Sequence, residues 1–380
     1  MTHHGSYDPS KRGVALSRSA ASDGLHGGGA GMGITATDLY SSIQGVFRRG
    51  LTIVVGSGAS CHYGLPSMGA LADHLQQVIP AAPGTLCEEG TAQWQRISAE
   101  LVAGAGLESA LGEGNLADSL ADHLTSAIAN HVKDAEATAI SQILADETIS
   151  AFGRLFAHIL RTSDVADVIT TNYDRLLEVH AARAGVRMDT MFYGHTIGRL
   201  NESLSREELL QRQPAVGRGA KLTVRPRPHI RLSKPHGSLD WFSHNGECLR
   251  SDLALRGTQR IIAPGGNKYR LGYEVPFDAQ RKRANEAIDK AAALLFIGYG
   301  FNDEHLQTHI RTRFSEIPSV VISRNLTDRA REYMSLNPAA VSIEMSATSE
   351  ACQMTRGAES LEMPLPLWNL EDLLKEVLAI

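Results

Sequence analysis

Leu51-Thr-Ile-Val-Val-Gly-Ser-Gly-Ala-Ser60 is the most telling segment of the chain. Five residues, rich in β-branched side chains, run apolar from Leu51 to Val55 and stop at Gly56. So short a run, bounded by glycine, reads as a strand buried on both faces of a parallel sheet. Gly56-Ser57-Gly58-Ala59-Ser60 follows it, and helical spacing sets in from Leu71 to Ile79. Strand, glycine turn and helix together form a cradle for a pyrophosphate. Glycines allow a tight turn and close approach, the helix N-terminus offers free N–H groups, and Ser60 adds a hydroxyl. A bare Gly-x-Gly also serves as a plain strand-to-helix turn, so the rest of the chain must choose between the two.

Moving outward, further strands are expected at Val165–Thr171, Ile230–Ser233, Arg260–Ala263, Ala293–Ile297 and Ser319–Ser323, with helices at Asp174–Ala184, Asp303–Phe314 and Leu370–Leu378. Strands alternating with helices predict an α/β fold: a doubly wound, mostly parallel Rossmann-like sheet with helices on both faces. Between the first two strands, about 86–150, the chain is rich in Ala and Leu, and its helical periodicity breaks at Gly104, Gly106, Gly112 and Gly114. This predicts an inserted helical subdomain. Residues 1–36 carry Gly, Ser and His without an apolar period and read as a disordered tail. Thr37 or Asp38 then caps a first helix toward Arg48. The main domain is expected over 37–345. Within it, about 187–232 reads as an irregular basic insertion, with Pro214, Pro226 and Pro228. Seven basic residues lie from Arg212 to Lys234 without one Asp or Glu, which suits a solvated insertion or a face for a partner. Residues 346–380 form a C-terminal extension ending in a helix.

Composition narrows the functional classes. A net charge of −5 gives no long-range attraction to nucleic acid or to an anionic membrane. No run of about 18 apolar residues is present, and the N-terminus lacks a secretory signal, so the expected compartment is the cytoplasm. Cys61, Cys87, Cys248 and Cys352 are scattered with no C-x-x-C pair. Neither a zinc site nor a disulfide framework is expected.

Polar chemistry collects where the later strands end. Thr170-Thr171-Asn172-Tyr-Asp174 follows Val165–Ile169, at a carboxyl edge where open α/β sheets bind ligands. An amide there can fix a ribose hydroxyl or a water, and a carboxylate can anchor a carboxamide. Lys234-Pro-His236-Gly-Ser-Leu-Asp-Trp241 follows another strand, and a neutral imidazole at His236 can accept a proton near pH 7. Leu294-Leu-Phe-Ile-Gly298-Tyr-Gly300-Phe-Asn302-Asp303 is an apolar strand breaking at a glycine pair. Val320-Val-Ile-Ser-Arg-Asn325 repeats the pattern of a strand ending in a polar residue.

The first block, Gly56-x-Gly58-x-Ser60-x-x-x-Gly64-Leu-Pro66, resembles the opening signature of the SIR2 (sirtuin) superfamily, and the later blocks follow in that family's order. Thr170–Asp174 resembles its Thr-Gln-Asn-Ile-Asp block, and Lys234–Trp241 its His-Gly block. Gly298–Asp303 looks like the Gly-x-Gly-Phe-x-Asp variant of SIR2-like proteins. Ala263–Tyr269 also resembles a segment of these proteins, with no chemical role assigned. The resemblance spans about residues 50–325 and implies NAD as substrate. Asn172 and Asp174 would face the nicotinamide and its ribose, and His236 would act as general base. Gly56, Ser57, Gly58, Ala59, Ser60, Thr171, Gly298, Gly300 and Asn302 would hold the phosphates and ribose, and Asn325 the adenosine ribose.

Two departures bear on the reaction. Protein deacylases of the superfamily carry Phe-Arg soon after the first block, where this chain has Ser67-Met68-Gly69. They also carry a four-cysteine zinc module after the His block, where only Cys248 falls. Losing both weakens the case for an acyl-lysine acceptor and leaves water. The resemblance then implies an NAD glycohydrolase like the NAD-depleting effectors of bacterial antiphage defence (SIR2–HerA, Thoeris and Argonaute-associated systems). It also implies a homo-oligomer and a controlling partner such as a HerA-type ATPase or an Argonaute-like protein. The alternatives are an NAD-dependent protein deacylase and a nucleotide-binding regulatory or scaffold subunit without turnover.

Overall fold

A computed structural model describes residues 33–80, 84–112, 114–213, 223–253, 257–264, 274–347 and 351–380. The expected 1–36 tail and the Ala263–Tyr269 block fall largely outside these residues. The strand Leu51–Val55 is buried along its whole length at the centre of a nine-stranded sheet. The sheet order is 359–363, 352–356, 341–345, 319–322, 293–297, 51–55, 165–170, 229–233, 187–189. The seven strands from 341–345 to 187–189 run parallel, and the hairpin Cys352–Arg356 and Glu359–Met363 closes one edge antiparallel. The fold is α/β, with a large, mostly parallel central sheet.

Adjacent residues of the central strands enter opposite cores, which is why their apolar runs are unbroken. Ile53, Val55, Leu295 and Ile297 pack against Phe152, Phe156 and the C-terminal helix residues Leu373 and Leu374. Val54, Leu294 and Phe296 pack on the other face against Ile288, Ile310 and Phe314. A third core belongs to the helices between the first two strands, Met68–Val78, Glu88–Val102, Leu107–Leu111 and Asp118–Ala145. Leu71, Leu75, Trp94, Ile97, Leu120 and Ile128 meet there.

Three readings of the sequence change. The 187–232 stretch is not irregular: it holds strands at 187–189, 192–193, 198–200, 210–213 and 223–226, and the helix Glu202–Glu208. Strands of two to four residues are too short for alternation to show in a sequence window. The 258–261 strand joins 237–244, 247–250, 198–200 and 192–193 in a second, antiparallel sheet. The first helix starts at Ala36 with Thr35 as its cap. Thr35 Oγ1 accepts from Asp38 N–H and the Asp38 carboxylate accepts from Thr35 N–H, a reciprocal capping box. Among the described residues no helix is long and apolar enough to cross a membrane.

Register places the polar blocks at one edge. Val55 lies level with Thr170 on one side and Ile297 on the other, and Ile169 lies level with Ser233. The segments that follow, Gly56–Ser60, Thr171–Asp174, Lys234–His236 and Gly298–Asp303, therefore leave the sheet side by side. The chain winds one way from the first strand to 165–170 and the other way from 293–297 to 319–322. The 51–55/293–297 neighbours thus mark the switch point where open α/β sheets form their ligand crevice. Here two turns pack backbone on backbone. A Cβ on Gly56 would lie 2.4 Å from the Gly298 carbonyl oxygen, and one on Gly298 (φ +59°) would lie 2.3 Å from Ala59 N. Gly56→Ala is expected to destabilise the protein by about 1–3 kcal/mol, as overpacked sites do. Gly114→Ala, with open space around it, is the control. Equal denaturation midpoints for the two variants would contradict this contact.

Candidate active site

The turn after the first strand and the turn after Val165–Thr170 are tied by side chains. Asn172 Nδ2 donates to the Gly56 carbonyl at 3.0 Å and to Ser60 Oγ at 2.8 Å. Ser60 Oγ in turn donates to Asp174 Oδ2 at 2.8 Å, and Asp174 Oδ1 accepts from Leu176 N–H at 3.1 Å. All three side chains are buried. Burial pushes the Asp174 carboxyl up from its ordinary range, while Lys234 and the bonds from Ser60 and Leu176 pull the other way. Tyr173, between Asn172 and Asp174, donates its hydroxyl to the Ile262 carbonyl at 2.6 Å and so binds this turn to the second sheet.

His236 arrives from the neighbouring turn. Gly237 beside it has φ +87°, and a Cβ there would lie 2.2 Å from the Arg260 carbonyl oxygen, so only glycine fits. His236 Nε2 lies 3.1 Å from Asp303 Oδ2, at ion-pair distance though not aligned as a hydrogen bond. The buried Tyr299 hydroxyl has no hydrogen-bond partner among the described residues, which suits a ligand supplying one. Phe301 in the same turn holds φ +59°, a conformation that side chains seldom adopt and that clusters at functional sites.

Two cavities flank the glycine turn. The first is lined by Gly56, Ser57, Ser60, Thr171, Asn172, Asp174, His236, Gly300 and Asn302, all read from the sequence. The second takes Gly58, Ala59, Gly298 and Asn325. The expected site residues thus divide between two neighbouring cavities. One detail of the sequence reading changes. Gly58 N–H donates to the Gly298 carbonyl and Ala59 N–H to the Gly56 carbonyl. The glycines serve turn-on-turn packing, and these two amides are not free to cradle an anion.

Several lining residues had no sequence assignment. Glu108 reaches the first cavity from the short helix Leu107–Leu111, and nothing local marks it. Asp303 and Tyr299 sit inside a block already singled out, so their place was readable. Arg324 and Trp368 line the second cavity, with the guanidinium 5.7 Å from the ring centre. Among the described residues no group of three or more His, Cys, Asp or Glu is gathered to hold a metal ion.

Residues 166–338 match the SIR2-like domain family. No curated protein matches the chain. Among solved structures, one titled for the mechanism and regulation of Sir2 enzymes is 13% identical, with a TM-score of 0.40, covering 80% of this chain and 92% of that one. A Sir2 homologue mutant in complex with ADP-ribose is 12% identical, with a TM-score of 0.39, covering 78% and 88%.

The Asn172–Asp174 turn is also held to the helical insertion. Arg175 N–H donates to Glu136 Oε1 at 2.5 Å, and its guanidinium reaches the same carboxylate at 2.6 Å and Asp252 at 2.6 Å. Glu136 is fully buried. Arg175→Met would strand that charge, and a loss of roughly 3 kcal/mol is expected in denaturant melts. Glu136→Gln with Arg175→Met should recover much of it, and failure to recover would show that the charge is not the cause.

Proposed function

We propose that the protein is an NAD glycohydrolase that cleaves the nicotinamide–ribose bond to give nicotinamide and ADP-ribose. The observation carrying this reading is the meeting of Asn172 and Asp174 with His236, from two separate segments of the chain, around one cleft at the switch point. The match of residues 166–338 to the SIR2-like domain supports it, since all three fall in that span. Cavities on either side of the glycine turn suit a dinucleotide that straddles it, nicotinamide ribose in the first and adenosine in the second.

In this reading the C–N bond breaks with its electron pair leaving on neutral nicotinamide. Positive charge develops on the ribose, as in glycoside hydrolysis. The Asp174 carboxylate stabilises that charge at close range in a buried site. Asn172, oriented by Ser60 and the Gly56 carbonyl, positions the ribose or the water. His236, its Nε2 3.1 Å from the Asp303 carboxylate, takes the proton from the attacking water and later releases it to solvent. No zinc is called for. The wider reading is a cytoplasmic NAD-depleting effector of antiphage defence, working as a homo-oligomer. A partner such as a HerA-type ATPase or an Argonaute-like protein would restrain its toxicity.

The test is incubation with NAD, with and without an acetyl-lysine peptide, quantifying nicotinamide and ADP-ribose. Equimolar release without peptide is expected. His236→Ala and Asn172→Ala should each lower the rate by about 100-fold or more. Release only with peptide would make the protein a deacylase; binding without release, alone and with added partner, would make it a non-catalytic nucleotide-binding subunit. A second prediction concerns pH. Because burial raises the Asp174 carboxyl, its ionised form is lost while pH is still above the ordinary carboxylate range. Asp174→Asn should therefore remove an acid limb that His236→Gln leaves in place, and an acid limb unchanged by Asp174→Asn would remove Asp174 from the mechanism.

A further inference from the structure

We infer that Lys234 is a positioning residue for this reaction, its buried ammonium holding the Asn172–Asp174 turn from beneath and keeping a positive charge beside Asp174. The inference rests on the glycohydrolase reading and extends it to a residue that lines neither cavity.

Lys234 is 2% exposed. An ammonium so buried is costly unless its protons are met by acceptors. Nζ donates to the Asp174 carbonyl, to Ser238 Oγ at 3.0 Å and to Glu178 Oε1 at 3.2 Å, and lies 3.5 Å from the Tyr173 carbonyl. Two of these four acceptors are main-chain oxygens of the turn that carries Asn172 and Asp174. The Tyr173 carbonyl is gripped further by Leu239 N–H at 3.0 Å and Ser238 Oγ at 3.3 Å. The root of the lysine is itself fixed, its N–H donating to Gln280 Oε1 at 2.9 Å. Gly237 N–H closes a turn onto the Lys234 carbonyl. One tight turn therefore presents His236 to the cleft and Lys234 to the underside of the neighbouring turn.

A lysine that merely neutralised Glu178 in the core would not need the two carbonyls. The charges around Asp174 show why its sign matters. Cys61 and Ser60 face Asp174 from the helix Ser57–Cys61, and Glu136 acts on it from Asp118–Ala145. Glu178 and Asp240 lie beside Lys234 from their own helix and strand, with Arg250 against Asp240 at 2.8 Å. Arg175 lies against Glu136. Of these groups, Lys234 is the cation that holds Asp174 toward its ionised form, against burial and Glu136. Removing it should bring protonation of Asp174 at higher pH.

The experiment compares pH–rate profiles of nicotinamide release for the wild type, Lys234→Met and Lys234→Arg. For Lys234→Met we expect kcat to fall 10- to 100-fold with KM changed less than threefold. Its acid limb should move up by about one pH unit or more, the scale set by one nearby opposite charge. Lys234→Arg keeps the charge but not the compact ammonium, so its limb should return toward wild type while kcat stays low. Should Lys234→Met fold poorly, Lys234→Met with Glu178→Met removes both buried charges and restores packing. Its limb should still be displaced, because the cation beside Asp174 is still missing. A limb at the wild-type position in a folded Lys234→Met or double variant overturns the inference. If the wild type releases no nicotinamide, the cleavage reading fails by itself. The same displacement is then read from the pH dependence of NAD affinity by calorimetry, where an unmoved curve overturns the role of Lys234.

Discussion

Gly56 and Gly298 touch backbone to backbone where the first strand meets Ala293–Ile297, and the candidate site is organised around that contact. With Cβ atoms there the two turns would be forced apart. The Gly56 carbonyl would then leave Asn172, and Ser60 would leave Asp174. Close packing of turns at a sheet's switch point therefore does two things together. It seals the top of the core, and it brings hydrogen-bonding groups from distant segments within 3 Å of one another.

Around that contact the protein buries more charge than a simple core would tolerate. Lys234, Glu178, Asp174, Asp240 and Glu136 are each largely withdrawn from water. Each is matched by an opposite charge or by main-chain dipoles, because an unmatched one would cost several kcal/mol. The cations and carboxylates converge on the short segment Tyr173–Arg175, from the helical insertion on one side and the second sheet on the other. The position of the candidate nucleophile-activating and charge-stabilising groups is thus set by electrostatics as well as by packing.

Much of the architecture was legible because the central strands are buried on both faces. Leu51–Val55 and Ala293–Ile297 have the observed bounds, since unbroken β-branched and apolar runs ending at glycine have few other readings. Asn172, Asp174 and His236 stood out because each follows a strand candidate, although Val165–Thr170 and His229–Ser233 are interrupted by Asp167 and Arg231. The short strands between 187 and 226 were not legible, as their two to four residues carry no period. The Cys352–Arg356 hairpin strand shows partial alternation, with Cys352 and Met354 inward, yet its pairing depends on a neighbour across the sheet.

The α/β class, the central strands and the polar residues that leave their carboxyl ends follow from the order of residues, because burial pattern and turn chemistry are local properties. Only the tertiary structure decided what the glycines are for and which acids and bases meet. It made Gly56 and Gly298 a packing pair, brought Asp303 to His236, and set Lys234 beneath Asp174. Those relations join residues up to 242 positions apart (Gly56 to Gly298), and sheet register and switch-point topology alone bring them together.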